Sequence, residues 1–176
     1  MNRISRILKY IFSFIFSKIN PLGYARYIGV VFGRNVNFYG MKPGMFSTEP
    51  WLITIGNDVH VTSGCQFITH DGGTLILRKR QPDLEITARI NVGNDVYIGM
   101  NSMIMPGVSI GDNVIVGAGS VVTKDLPSNG VYAGVPARFI KSLDDYMDSI
   151  AKRSLGFGHL SAKDKERALK KHFGVE

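Results

Sequence analysis

"VGNDVYIGMNSMIMPGVSIGDNVIVGAGSVVTKDLP", residues 92–127, divides into six blocks of six: VGNDVY, IGMNSM, IMPGVS, IGDNVI, VGAGSV and VTKDLP. The first residue of every block (Val92, Ile98, Ile104, Ile110, Val116, Val122) is β-branched and aliphatic. Fifth positions are Val96, Ser102, Val108, Val114, Ser120 and Leu126, all small or aliphatic, and glycine follows the first residue in four blocks. A helix repeats every 3.6 residues and a half-buried strand every two, so neither explains a beat of six. A coil does. Each block is one short strand and one turn, three blocks close a triangle, and the first residues stack into a column down the interior. β-Branched side chains are stiff at χ1 and fill a pleated surface, which suits that column. Gly, Asn and Asp suit corners where the backbone needs positive φ.

Upstream the same pattern recurs as IGNDVH, VTSGCQ and FITHDG, starting at residues 55, 61 and 67, and more faintly as FGRNVN at 32 and FYGMKP at 38. The phase slips twice. Neither the step from Phe38 to Ile55 nor the step from Phe67 to Val92 is a multiple of six, so chain is inserted at each break. Residues 72–89 are too polar to stack as coils and read as a loop thrown out from the solenoid. His70, fourth in its block, falls at a corner beside the root of that loop.

Both ends differ from this middle. Residues 1–20 place Ile4, Ile7, Leu8, Ile11, Phe12, Ile15 and Ile19 at helical spacing with Arg3, Arg6 and Lys9 largely elsewhere, which predicts an amphipathic helix. Its apolar run is far short of the roughly 20 residues a membrane span needs. The helix either packs on the rest of the protein or a neighbouring subunit, or lies in a membrane interface. Beyond the blocks, "SLDDYMDSIAKR" and "SAKDKERALKKHFG" predict two polar helices, the second with Ser161 as N-cap and Gly174 as its stop, placed to cap an open edge. The expected organisation is therefore a helix over 1–22, a coil over 23–141 with its loop at 72–89, and a helical extension over 142–176.

The 176 residues carry 21 basic and 14 acidic side chains, a formal charge of +7. The excess sits at the ends: 1–20 holds four basic residues and no acid, 138–176 holds nine basic and six acidic, and 21–137 holds eight of each. A neutral middle disfavours a nucleic-acid-binding core. Cys65 is the single cysteine, so no intramolecular disulfide and no thiolate zinc cluster can form. A reducing compartment fits, and the expected location is cytoplasmic, with the inner face of the membrane as the alternative if the first helix binds lipid.

The run "VGNDVYIGMNSMIMPGVSIGDNVIVGAGSVVTKDLPSNGVYAGVPAR", residues 92–138, resembles the hexapeptide-repeat acyltransferases, in particular the galactoside, maltose, xenobiotic and capsular-polysaccharide O-acetyltransferase group. The resemblance covers about residues 24–141. It implies an all-β solenoid of left-handed parallel β-helix type, against the usual right-handed crossover, and a homotrimer with sites between subunits. It implies transfer from acetyl-CoA to a hydroxyl or amine acceptor, with no metal, and a histidine general base matched here by Thr69-His70. An alcohol must lose its proton as it attacks a thioester, and imidazole titrates in the right range to take it.

Asp71 and Glu49 are candidates for orienting the imidazole or contacting the acceptor, although Asp71 also suits a turn bonding its own backbone and Glu49 a turn cap. Trp51 could offer an aromatic face to a sugar or simply pack. For the donor, the resemblance assigns the backbone at Ala118 to the pantetheine arm and Thr123, Lys124 and Arg138 to the nucleotide phosphates. Met100 stands where some relatives have a polar residue. Lys124 and Arg138 are the only basic side chains between 90 and 140, which independently suits an anionic ligand. The basic run Arg78-Lys79-Arg80 lies on the loop. The expected activity is O-acetylation of a sugar hydroxyl in a surface polysaccharide or glycan precursor. An amino-sugar N-acetyltransferase would share these features, and a non-catalytic scaffold would share the repeats. A three-histidine zinc site of the β-helical carbonic anhydrase type fits poorly, because His60 and His70 are ten residues apart and His159 and His172 lie in the tail.

Overall fold

The structure is a computed structural model, and it describes residues 3–175. Its chain divides into two compact units, one running through Leu143 and one starting at Asp144. The first unit opens with α1 (Arg3–Ile19) and α2 (Pro21–Ile28). The second helix bridges the expected boundary at residue 22. Asn20 caps it by accepting from the Gly23 amide, Pro21 needs no amide partner at its first position, and Gly29 ends it in the left-handed region at φ 105°. Tyr24 and Ala25 are buried in the core, so α2 closes the mouth of the first coil.

From there the chain visits three parallel sheets in strict rotation. The first turn is β1 (Val31–Phe32), β2 (Asn37–Phe38) and a bridge at Phe46. The second is β3 (Ile53–Ile55), β4 (His60–Val61) and β5 (Gln66–Phe67). The third is β6 (Ile90–Val92), β7 (Val96–Ile98) and β8 (Met103–Ile104), and the fourth is β9 (Ser109–Ile110), β10 (Val114–Val116) and β11 (Val121–Val122). Leu126 bridges to Ile110, and β12 (Gly130–Ala133) pairs with β10. β13 (Arg138–Ser142) then folds back antiparallel on β12 and closes that edge of the sheet.

Between the third and fourth turns the register advances by three whole blocks on every face: Val92 opposes Ile110, Ile98 opposes Val116 and Ile104 opposes Val122. All six first-position residues are buried, and so are all six fifth-position residues. The two serines among them are tolerated because their hydroxyls are satisfied. Ser102 donates to the Gly99 carbonyl at 2.7 Å and Ser120 to the Gly117 carbonyl at 2.6 Å. One corner is built by Asn35, Asp58, Asp95, Asn113 and Asn129, each at φ between 52° and 63°. Short polar side chains tolerate that left-handed geometry far better than branched ones.

Two insertions break this regularity. Asn37 opposes His60 and His60 opposes Tyr97, so these steps exceed three blocks by five and by nineteen. The five are split on either side of Phe46, and the nineteen all follow Phe67 and form the extruded loop. The neck of the loop is tied by the Ala88 amide to the Thr69 carbonyl at 2.8 Å and the Asp71 amide to the Ile86 carbonyl at 2.9 Å. The loop is less irregular than its polarity suggests, because it holds a helical turn, α3 (Thr74–Leu77). α4 (Leu143–Ala151), which starts at the last residue of the first unit, and α5 (Ala162–Phe173), within the second, occupy the two expected segments; Ser161 caps α5 through the Asp164 amide, and Gly174 ends it at φ 63°.

Candidate functional site

Glu49 and His70 stand on the same corner of consecutive turns, just after Phe46 and Phe67, which pair in parallel. At that corner the later part of the first insertion swings Ser47, Thr48 and Glu49 across the end of β5. The Glu49 Oε2 accepts from His70 Nδ1 at 2.9 Å and from the buried Thr69 hydroxyl at 2.6 Å, while Oε1 accepts from Thr48 at 2.5 Å. Ser47 Oγ and Thr48 Oγ1 also lie 3.3 Å from the same ring nitrogen. These hydroxyl donors and the adjacent imidazole favour the ionised carboxylate and hold the Glu49 carboxyl at about 2 instead of 4.5. An ionised carboxylate only accepts, so the His70 Nδ1 must carry its hydrogen. The ring nitrogen left to accept is then Nε2, which makes no hydrogen bond among the described residues. The ring is 35 % exposed, at the neck of the loop.

Of the other candidates around the histidine, Asp71 is turned away. Its Oδ1 accepts from the Gly73 amide at 2.8 Å, an Asx turn that starts the loop, so Glu49 rather than Asp71 orients the ring. Trp51 sits on a 3-10 turn over Pro50–Leu52 and is 62 % exposed, an open aromatic face two residues from Glu49. Within the basic run, Arg78 is held by the loop itself: its guanidinium pairs with Glu85 and its Nε donates to the Leu84 carbonyl at 2.9 Å. Lys79 and Arg80 are exposed. Thr48 and Ser47 were not foreseen, because a phase break carries no periodic signal.

The donor-side candidates form two groups. Met100 and Ala118 stack on one corner, where the Gly119 amide donates to the Met100 carbonyl at 2.7 Å. Ala118 is exposed, and neither its amide nor its carbonyl makes a hydrogen bond among the described residues, so both can meet a ligand. Lys124 and Arg138 line one cavity of about 300 Å³ together with Asp125, Leu126, Tyr132, Ala137 and Phe139. Thr123 is exposed beside them. Lys124 shares the corner of His70 two turns further on, roughly 10 Å along the axis at the spacing of parallel strands.

Two of the remaining histidines are engaged elsewhere. His60 Nδ1 lies 2.9 Å from the Tyr39 hydroxyl, and His172 packs against Phe157 and Phe173. Among the described residues no three His, Cys, Asp or Glu side chains gather as a metal ion would require. Cys65 is buried under backbone carbonyls, and loss of hydration pushes its thiol pKa up, which leaves it unreactive.

Residues 89–124 match the model of the family described as bacterial transferase hexapeptide (six repeats). Protein CapG of Staphylococcus aureus is 46 % identical over 129 residues, which is 73 % of this chain and 75 % of that protein. Galactoside O-acetyltransferase of Escherichia coli is 36 % identical over 118 residues, covering 65 % of this chain and 57 % of that enzyme. Among solved structures, a hexapeptide-repeat-containing acetyltransferase from Vibrio cholerae superposes with a TM-score of 0.53 at 29 % identity, covering 69 % of this chain and 78 % of that one.

Proposed function

Because the chain belongs to the hexapeptide-repeat transferase family and is an acyltransferase, we propose that it carries the acetyl group of acetyl-CoA to a sugar hydroxyl of a surface polysaccharide or glycan precursor, with His70 as general base. The observation that carries this reading is the Glu49–His70 pair at the neck of the loop. Glu49 holds Nδ1–H, which leaves Nε2 free to accept a proton, and the ionised carboxylate stabilises the imidazolium that results. His70 takes the acceptor's hydroxyl proton as the new C–O bond forms on the thioester carbonyl. The C–S bond breaks, and His70 returns the proton to the departing thiolate.

The loop beside His70 and the open ring of Trp51 suit an acceptor pocket, and the similarity to a galactoside O-acetyltransferase supports a sugar. Ala118 offers unpaired backbone groups to the amide-rich donor arm, while Lys124 and Arg138 offer charge to its phosphates. Met100 adds an apolar contact. This reading takes with it the left-handed winding and the homotrimer of the family. The part-exposed ring of His70 in the single chain is compatible with a partner subunit completing the site.

The test is transfer of labelled acetyl from acetyl-CoA across a panel of sugar acceptors, with His70→Ala alongside. Loss of a general base lowers kcat on the order of 10²–10⁴-fold in a protein that melts like the wild type. A His70→Ala protein as fast as wild type overturns the assignment, and a panel on which only amino sugars accept moves the activity to N-acetylation.

A further inference from the structure

α1 has an apolar face that nothing in its own unit covers. α2 packs along one edge of it, where Phe16 meets Tyr24 and Tyr27 and Phe12 meets Tyr27, while the buried Ser17 lies on the opposite side of the helix. The rest of the face, Ile4, Ile7, Leu8, Ile11, Ile15 and Ile19, is between 47 % and 79 % exposed. At about 100° per residue these six side chains occupy one arc of roughly 120°. The arc is flanked by cations: Arg3 and Arg6 on one side and Lys9 on the other, all exposed. Lys18 falls within the arc at its C-terminal end and bends over the Phe14 ring, 6.0 Å from its centre, as a snorkelling side chain does. Tyr10 and Phe14, stacked at 6.5 Å, border the arc as aromatic side chains do at a water–lipid boundary.

We infer that α1 is a docking helix for an anionic bilayer surface, lying in the interface with its isoleucine face among the acyl chains. The charge pattern selects this occupant. Seven basic side chains precede Glu49, the first acidic residue of the chain. A second copy laid on the same face would set cations against cations, whereas anionic headgroups neutralise them. No described helix is long and apolar enough to cross a membrane, and α1, at 17 residues, has the length and two-sided chemistry of a helix that lies on one. The inference is independent of the acceptor.

The test uses the full chain and vesicles of phosphatidylcholine with or without phosphatidylglycerol. Co-sedimentation is expected with the anionic vesicles at low salt, with weakening as salt screens the charges. Replacing Arg3, Arg6 and Lys9 together by Ser, a change of exposed side chains only, is expected to lower partitioning on the order of 100-fold, about fivefold per cation. Ile7→Asp with Ile11→Asp is expected to abolish it while leaving acetyl transfer to a soluble acceptor unchanged. Equal binding to neutral vesicles, or no binding by the wild-type chain, overturns the inference. So does a change of oligomer size in the Ile7→Asp, Ile11→Asp protein by sedimentation velocity, which would make the face a subunit contact.

Discussion

Glu49→Gln removes one charge and keeps the side chain's shape, which makes it the sharpest probe of the site. In the fold, the Thr48 and Thr69 hydroxyls and the His70 ring hold the carboxyl at about 2, against an ordinary 4.5. At about 1.4 kcal/mol per pKa unit, and with solvent screening part of it, this is at most about 3 kcal/mol of preference for the ionised form in the folded protein. A depressed carboxylate contributes its stability above the unfolded pKa and loses it as pH falls through the folded one. The window therefore runs from about pH 5 down to about pH 2. Urea unfolding at fixed protein concentration across that window is expected to show the wild type losing up to about 3 kcal/mol more than Glu49→Gln. At neutral pH, kcat of the variant is expected to fall on the order of 100-fold, because an amide can present its NH2 as well as its oxygen and so no longer enforces the Nδ1–H tautomer, and being neutral it does not stabilise the imidazolium. Superimposable pH-stability profiles would refute the hydrogen-bond network. An unchanged kcat would refute its role in positioning His70.

For the donor side, Lys124→Ala and Arg138→Ala are each expected to raise the KM for acetyl-CoA on the order of tenfold with little change in kcat, since their proposed contacts are with a part of the donor remote from the thioester; steady-state kinetics at varied donor concentration checks this. For the coil itself, Ile104→Ala empties a wholly buried place in the column between Phe67 and Val122 and is expected to cost about 2–5 kcal/mol. Asn91→Ala, on an outward side chain of β6, is expected to stay within about 0.5 kcal/mol in the same denaturation assay.

The coil was legible because its burial is set within a few residues. Each turn is three blocks long, so a side chain that points inward at Val92 does so again at Ile110, and the beat of six names the sheets directly. The caps of α5 were legible for the same reason, since Ser161 and Gly174 act on neighbouring amides and carbonyls. His70 could be singled out by its place at a phase break together with the family resemblance. Asp71, its immediate neighbour, looked as good a partner as Glu49, and only the fold separates them.

The sequence by itself determined the period, the two inward columns, the corner chemistry and the positions of both insertions, all of them local consequences of backbone sterics and side-chain burial. Tertiary structure decided what the insertions do. The first carries Glu49 over the end of the next turn to meet the ring of His70, and the second closes its neck on Thr69 and Asp71 to raise the loop beside it. It also decided that α2 seals the first coil and that α1 keeps its isoleucine face outside. A repeat fixes register only where it is unbroken. Where it breaks, the path of the chain through space chooses the contacts, and in this protein the proposed catalytic pair stands at those breaks.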